Sequence, residues 1–376
     1  MQVPFLDLRR APEAEREELD AALARVVRSG RYVLGPELDA LETEFAAYVG
    51  IPFAAGVGCG TDALSLALES SGAIEPGRGD EVITPALSAA FSALAICRAG
   101  AVPRFVDLDP ATLQMDPDGI EPLVGERTRA LLPVHLYGHA CDLGRIGGLA
   151  RKHRLAVVED ACQAHGSRLD GSHLGTAGRA AGFSFYPTKN LGALGDAGMV
   201  VSHDEALIRR VRQLRHGGQT RTYYHELLGR NSRLDEIQAA VLRVKLRTLE
   251  DRNQRRRQIA AAYDDAFSNL ELQRLPVRPG LVPNRHLYPV RTPRRDGLRA
   301  WLRDRGIETL VHYPTPLPLQ PALAPFVLPG QEFPVASRAA GELLSLPLYP
   351  DLAEEELHHI IRSVREFFRA PGRHSP

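Results

Sequence analysis

The sequence predicts an α/β protein: a mainly parallel central sheet flanked by helices, followed by a smaller C-terminal α/β domain. Three observations carry this. From residue 52 to about 202, short apolar runs alternate with helical stretches, the pattern of a sheet covered on both faces. At 376 residues the chain exceeds what one compact core usually holds. After about residue 250 strands and helices begin again in a Pro-rich setting. The expected division is a large domain over 1–250, including an N-terminal helical segment, and a small domain over 251–376.

In order, Leu19, Leu23, Val26 and Val27 recur at helical spacing across 12–29, and Gly30 suits the stop. Arg31 to Pro36 is a loop, and Leu38, Leu41, Phe45 and Tyr48 mark a second amphipathic helix. Strands are expected at 53–57, 82–84, 104–107, 130–134, 155–159, 182–186 and 198–202. Asn231 to about Tyr263 reads as one long helix or two abutting ones. Beyond it, strands near 286–290 and 308–313 and helices near 296–305, 335–345 and 351–368 furnish the small domain, ahead of a polar tail after Ala370.

Apolar residues make up 44% of the chain and charged residues 24%, with zero formal net charge. That balance gives no electrostatic reason to bind nucleic acid or an anionic membrane. There is no apolar run near 18 residues and no basic-then-apolar leader, so no membrane association is expected. Cys59, Cys97, Cys141 and Cys162 show no paired spacing, which fits a reducing cytoplasm.

The stretch FSFYPTKNLGALGDAGMVV, residues 183–201, concentrates the chemistry. A short buried strand (Phe183 to Tyr186) leads through a Pro187 turn to Lys189 and a glycine-rich run. The chain has three lysines, Lys152, Lys189 and Lys245, and arginine supplies the other 43 of its 46 basic residues. Arginine stays protonated, whereas a desolvated lysine can lose its proton and attack a carbonyl. Lys152 lies in a charged run and Lys245 on an arginine-rich helix. Lys189 alone stands between an apolar strand and flexible glycines, though a lysine in a surface turn fits that position equally well.

Gly56-Val57-Gly58-Cys59-Gly60-Thr61-Asp62 leaves a strand and opens a helix, where backbone amides and the helix N-terminus attract an anion. The plainer alternative is an N-cap by Thr61 or Asp62. GxGxG spacing, with no acid ending the next strand, argues for a phosphate cradle smaller than a dinucleotide site. LAVVEDACQAHG, 155–166, ends a buried strand in Glu159 and Asp160, where ligands gather in parallel sheets. An acid that merely caps the next segment is the alternative. An acid at one strand end and a lysine after a later strand together meet the needs of pyridoxal phosphate: a carboxylate for the pyridine nitrogen and an amine for the aldehyde. His135, His139, Cys141, Cys162 and His165 lack zinc-site spacing, so no metal is expected. No G-x-S-x-G marks a serine hydrolase.

The segments YVLGPE (32–37), GTDAL (60–64), EVITP (81–85), FVDLDP (105–110), PVHLYGHACD (133–142), VVEDACQAHG (157–166), FSFYPTKNLGALGDAG (183–198), NSRLDEIQAA (231–240), HYPTP (312–316) and LSLPLYP (344–350) resemble the DegT/DnrJ/EryC1/StrS family of sugar aminotransferases. These are fold-type-I pyridoxal-phosphate (PLP) enzymes, and the matches run through nearly the whole chain in order. The resemblance implies that Lys189 holds the cofactor aldehyde and, once released, moves the proton between substrate and cofactor carbons. It implies that Asp160 pairs with the pyridine nitrogen, that Gln163 approaches the phenolic oxygen, and that Gly60, Thr61 and Ser184 hold the phosphate. Asn231 would reach the phosphate in a neighbouring subunit, which implies a homodimer with shared active sites. Sugar contacts would come from Tyr32, from Tyr223 to His225, and from His312 and Tyr313. Two positions depart from the family. Ala89 stands where a ring-stacking aromatic is usual, with Phe91 two residues on as a substitute or a core residue. Pro318 stands where a histidine is common.

The reaction so implied is transfer of an amino group from L-glutamate, through pyridoxamine phosphate, to a nucleotide-linked keto-deoxysugar. HYPTP leans towards 3-keto-6-deoxyhexoses. A deoxysugar deaminase or dehydratase on the same scaffold, or a non-catalytic PLP-binding regulatory protein, are the alternatives. The retained Lys189 argues against the dehydratases that lack the lysine.

Overall fold

The chain enters through two helices, α1 (Glu13–Ser29) and α2 (Pro36–Val49), in a computed structural model that describes residues 1–369. The polar tail expected after Ala370 lies outside the described residues. Both helices end on a glycine in the left-handed region, Gly30 at φ 66° and Gly50 at φ 81°, where a side chain would be strained.

The main sheet takes β1 (Phe53–Val57), β2 (Glu81–Pro85), β3 (Val102–Val106), β4 (Thr128–Leu131) and β5 (Ala156–Asp160). After a short hairpin, β6 (Arg168–Leu169) and β7 (Ser172–His173), it takes β8 (Ala180–Ser184) and β9 (Gly198–Ser202). Helices α3 (Gly60–Ser70), α4 (Ala90–Arg98), α5 (Leu143–His153) and α6 (Glu205–Leu214) fill the connections. The strand order is β1-β9-β8-β5-β4-β2-β3. From β8 to β3 the pairing is parallel, and β9 runs antiparallel to both its neighbours. Every residue of β2 and β9 is buried, as strands covered on both faces must be. Alternation sends Phe183, Met199 and Val201 into one apolar cluster, with Phe45 and Leu242, and Val200 into another, with Leu64 and Ile208.

The hairpin of β10 (Gln219–Arg221) and β11 (Tyr224–His225) follows α6. Residues 231–235 are not the start of the expected helix. Asn231 bridges His216 and Asp235 bridges Val33, so α7 (Glu236–Leu246) begins only at Glu236 and α8 (Leu249–Ala266) abuts it. The Glu236 carboxylate accepts from the amides of Gly35, Glu37 and Leu38, which caps α2 from a distance and fixes where α7 can start.

A third apolar cluster gathers Tyr263, Phe267, Tyr288, Val290, Leu344, Leu346, Ile360 and Phe367, with Val3 from the other end of the chain. It draws on α8, β14 (Tyr288–Arg291), α9 (Arg295–Arg303), β15 (Leu343–Leu346) and α11 (Glu354–Arg369); β12 (Gln273–Arg274), β13 (Leu281–Val282) and α10 (Pro334–Glu342) complete the C-terminal part of the chain. Strands β12, β14 and β15 form one antiparallel sheet, whereas β13 pairs with β6. Two expectations fail here. Residues 308–313 form no strand; Ile307 and Leu310 make isolated bridges and the chain then turns through Pro314 and Pro316 towards the main sheet. The helix expected over 335–345 stops at Glu342, because Leu343–Leu346 pairs in register with Tyr288–Arg291. A short apolar run reads alike as helix or buried strand, and tertiary pairing decides. No helix among the described residues is long and apolar enough to cross a membrane.

Candidate active site

The carboxyl ends of β5 and β8 lie side by side, Asp160 opposite Gly182. This register sets an acid, a cradle and a lysine around one space. Glu159 and Asp160 take opposite directions from the strand. Glu159 is fully buried and accepts from the amides of Gly175 (2.9 Å), Ala177 (2.8 Å) and Gly178 (2.6 Å), with His135 Nε2 at 2.8 Å. Burial opposes its charge, but His135 and the glycine amides hold its pKa below the ordinary range. Asp160 is nearly as buried, yet its partners are few: the Ser92 hydroxyl at 2.6 Å and the Cys162 amide at 3.1 Å.

The cradle forms where α3 starts. Its N-cap is Cys59, whose sulfur accepts from the Asp62 amide at 3.4 Å; neither Thr61 nor Asp62 caps it. A Cβ added to Gly60 would stand 2.5 Å from Ser184 Cβ, so this contact between α3 and the end of β8 requires glycine. The first turn of α3 and the end of β8 therefore meet at one spot, where a helix N-terminus favours an anion. The Ser232 hydroxyl braces the rear, donating to Asp62 at 2.6 Å and accepting from the Gly58 amide at 3.0 Å.

Lys189 follows β8 in a turn closed by its own amide on Tyr186 O at 2.8 Å. Burial pulls the Lys189 amine below the ordinary lysine range, with Cys162 and Asp160 opposing. Burial first, and the nearby Lys189 charge second, bring His165 down to about 3, His312 to about 4 and His286 well below its usual value. The other two lysines have different surroundings: Lys152 pairs with Glu121 at the surface, and Lys245 donates to Gly192 O at 2.8 Å. The next residue, Asn190, is tied to three partners, Asn253 Oδ1 at 2.7 Å, Asn284 O at 3.0 Å and His286 Nδ1 at 3.0 Å.

Gln163 is buried between two tyrosines. Its Oε1 accepts from the Tyr137 amide at 2.7 Å and its Nε2 donates to the Tyr313 hydroxyl at 3.1 Å. Tyr137 also donates its hydroxyl to His312 O, and His312 Nδ1 lies 3.0 Å from Ser345 Oγ. Thus Lys189, Asp160, Gln163, Gly60, Thr61, Ser184, His312 and Tyr313 are brought together. Four expected residues sit apart on the surface. Tyr32 is exposed with its hydroxyl 3.4 Å from Val27 O, and Tyr223 is 90% exposed at the hairpin tip. His225 leans on Gly217 O at 2.7 Å, and Asn231 is exposed beside Ser232. Phe91 is 62% exposed, which rules it out as core in this chain, and Pro318 is buried in a 3-10 turn. Ser92, Asn190, Asn284 and His286 were invisible to sequence reasoning. No local pattern marks a residue whose role is a contact dozens of positions away. Among the described residues no three His, Cys, Asp or Glu side chains converge as a metal centre.

Comparison with known proteins gives the family and the fold. The model of the DegT/DnrJ/EryC1/StrS aminotransferase family matches residues 13–365. The dTDP-3-amino-3,4,6-trideoxy-alpha-D-glucose transaminase of Streptomyces venezuelae is 48% identical over 367 residues, 97% of this chain and 96% of that protein. The crystal structure of S. venezuelae DesV in complex with a ketimine intermediate superposes with a TM-score of 0.95 at 48% identity, covering 99% of this chain and 100% of the other. NtdA from Bacillus subtilis, with bound cofactor PMP, gives a TM-score of 0.91 at 29% identity, covering 98% of this chain and 86% of the other.

Proposed function

The chain belongs to the DegT/DnrJ/EryC1/StrS aminotransferase family, and from that premise we propose that it moves an amino group from L-glutamate to C3 of a nucleotide-linked 3-keto-6-deoxyhexose. It is a PLP-dependent sugar aminotransferase. One observation carries the residue assignment: Asp160, Lys189 and the Gly60–Ser184 contact meet at the ends of two adjacent strands.

The residues present fit PLP. Gly60, Thr61 and Ser184 would hold its phosphate at the α3 N-terminus, Asp160 would face its ring nitrogen, Gln163 its phenolic oxygen, and Lys189 its aldehyde carbon. When bound, this group supplies an electron sink that makes a C–H bond on the amine-bearing carbon acidic. Lys189, its amine depressed by burial, would take that proton at Nζ and deliver it to the cofactor carbon on the other side of the nitrogen. The Asp160 carboxylate would hold positive charge at the ring nitrogen throughout. Tyr313, bonded to Gln163, and His312, bonded to Tyr137, would orient the sugar from that side.

The donor, the homodimer, the cytoplasmic location and a division near residue 250 belong to the same proposal. The apolar cluster that gathers residues 259–367, joined by Val3, supports the division. The projecting hairpin, with Tyr223 and Leu228 fully or nearly fully exposed, supports a shared site in which Tyr32, Tyr223, His225 and Asn231 serve the partner subunit. Mixing Lys189→Ala with Asn231→Ala subunits tests the sharing: hybrid dimers regain one intact site, whereas unshared sites stay dead. For the reaction, glutamate should bleach the visible cofactor band, and a nucleotide-linked 3-keto-6-deoxyhexose should then leave as the 3-amino sugar. Loss of amine from an amino sugar, with no net transfer from glutamate, would make the protein a deaminase instead.

A further inference from the structure

Asp160 is a buried carboxylate with no arginine or lysine within ion-pair distance among the described residues. Its neighbour Glu159 is held by four donors, whereas Asp160 has two. One of these comes from a different layer of the fold. The Ser92 hydroxyl, on α4, donates to Asp160 Oδ2 at 2.6 Å, and Ser92 Oγ lies 2.9 Å from Ser88 Oγ. Both serines are 2% exposed. An ionised carboxylate only accepts, so the single Ser92 proton is committed to Asp160. The hydrogen bond between the serines therefore runs from Ser88 to Ser92, and the chain reads Ser88, Ser92, Asp160. At 2.6 Å the last link has the length of a charge-assisted hydrogen bond. A buried anion stripped of such a donor takes up a proton or turns away.

We propose that Ser92, backed by Ser88, is a positioning residue of the transamination: its hydroxyl holds the Asp160 carboxylate in place and aimed, so that it can hold charge at the cofactor's ring nitrogen. This rests on the PLP reading above. The other titratable groups facing Asp160 are Cys162, Lys189 and Tyr313, none of them on α4. The small side chain at Ala89 leaves Ser88 and Ser92 as the polar content of this end of α4.

The experiment compares wild type with Ser92→Ala, Ser92→Thr, Ser92→Cys and Asp160→Asn. Two quantities are read: PLP affinity of the apoprotein, and the pH midpoint of the visible band of bound cofactor. Ser92→Ala should weaken PLP about tenfold, the loss of one hydrogen bond to a charged group, and move the midpoint part of the way towards that of Asp160→Asn. Ser92→Thr, which keeps the hydroxyl, should stay within about twofold of wild type. Ser92→Cys, nearly isosteric with a weak donor, should resemble Ser92→Ala, and it carries the test if the alanine variant does not fold. A Ser92→Ala midpoint equal to wild type while Asp160→Asn shifts would overturn the role of Ser92, even if melting temperature fell. An Asp160→Asn midpoint equal to wild type would sink the PLP placement and this proposal with it.

Discussion

Two buried acids stand side by side at the end of β5 and have opposite surroundings. Glu159 is closed in by three amides and a histidine, with every lone pair turned into the protein. Asp160 keeps two donors and opens onto the space shared by Lys189 and Gln163. A closed acid fastens a loop; an acid with spare acceptor capacity is available to a ligand. The period of two along a strand puts these tasks on opposite faces, so one strand end both braces the 175–178 loop and serves the chemistry.

The largest effect expected is on the open side. Asp160→Asn should lower kcat/KM by at least about 10³-fold, about 4 kcal/mol of transition-state stabilisation, with a denaturation midpoint near wild type. Single-turnover bleaching by glutamate measures it. Glu159→Gln should reverse the pattern. Breaking a buried, fully bonded ion pair should cost about 3 kcal/mol in a urea titration, while the folded fraction turns over at nearly the wild-type rate. Equal losses of activity and stability in both variants would erase the distinction.

Acid should separate the two sides. His165 and His312 have folded pKa values of about 3 and about 4, below the unfolded 6.5, so the unfolded chain binds protons first. Each therefore contributes a stability loss of up to about 1.4 kcal/mol per pH unit, beginning as pH falls below 6.5 and ending near the folded value. Glu159 is depressed from 4.5, so its contribution is present above that value and fades only as pH falls below it. His165→Gln should flatten the pH dependence of the urea midpoint between pH 6.5 and 4; an unchanged slope would remove His165 from this account. The smallest effect is at Tyr313. Tyr313→Phe removes the acceptor for Gln163 Nε2 and should raise the KM for keto-sugar about fivefold with kcat near wild type, as steady-state kinetics would show.

Much of this was legible in the chain. The seven main strands read directly, because strands buried on both faces are short apolar runs between turns. Lys189 stood out through the rarity of lysine, and Asp160 through its place at a strand end. What separates Asp160 from Glu159 was not legible, since Ser92 lies 68 positions from the acid it serves. The same holds for β15, whose Leu-Leu-Ser-Leu run takes its strand form from pairing with β14. His312 and Tyr313 carried no local signal of their own; they entered through family resemblance and are held at the site by Tyr137 and Gln163.

Asn190 joins partners 63, 94 and 96 positions away along the chain, and it sits immediately after the lysine. Closing loops of that length is the slow part of building a fold. The contacts that anchor the turn presenting Lys189 are therefore complete only once α8 and the 284–286 segment have docked on the main sheet. A fragment ending before residue 284 would keep the lysine but lose two of the three partners that anchor the residue beside it.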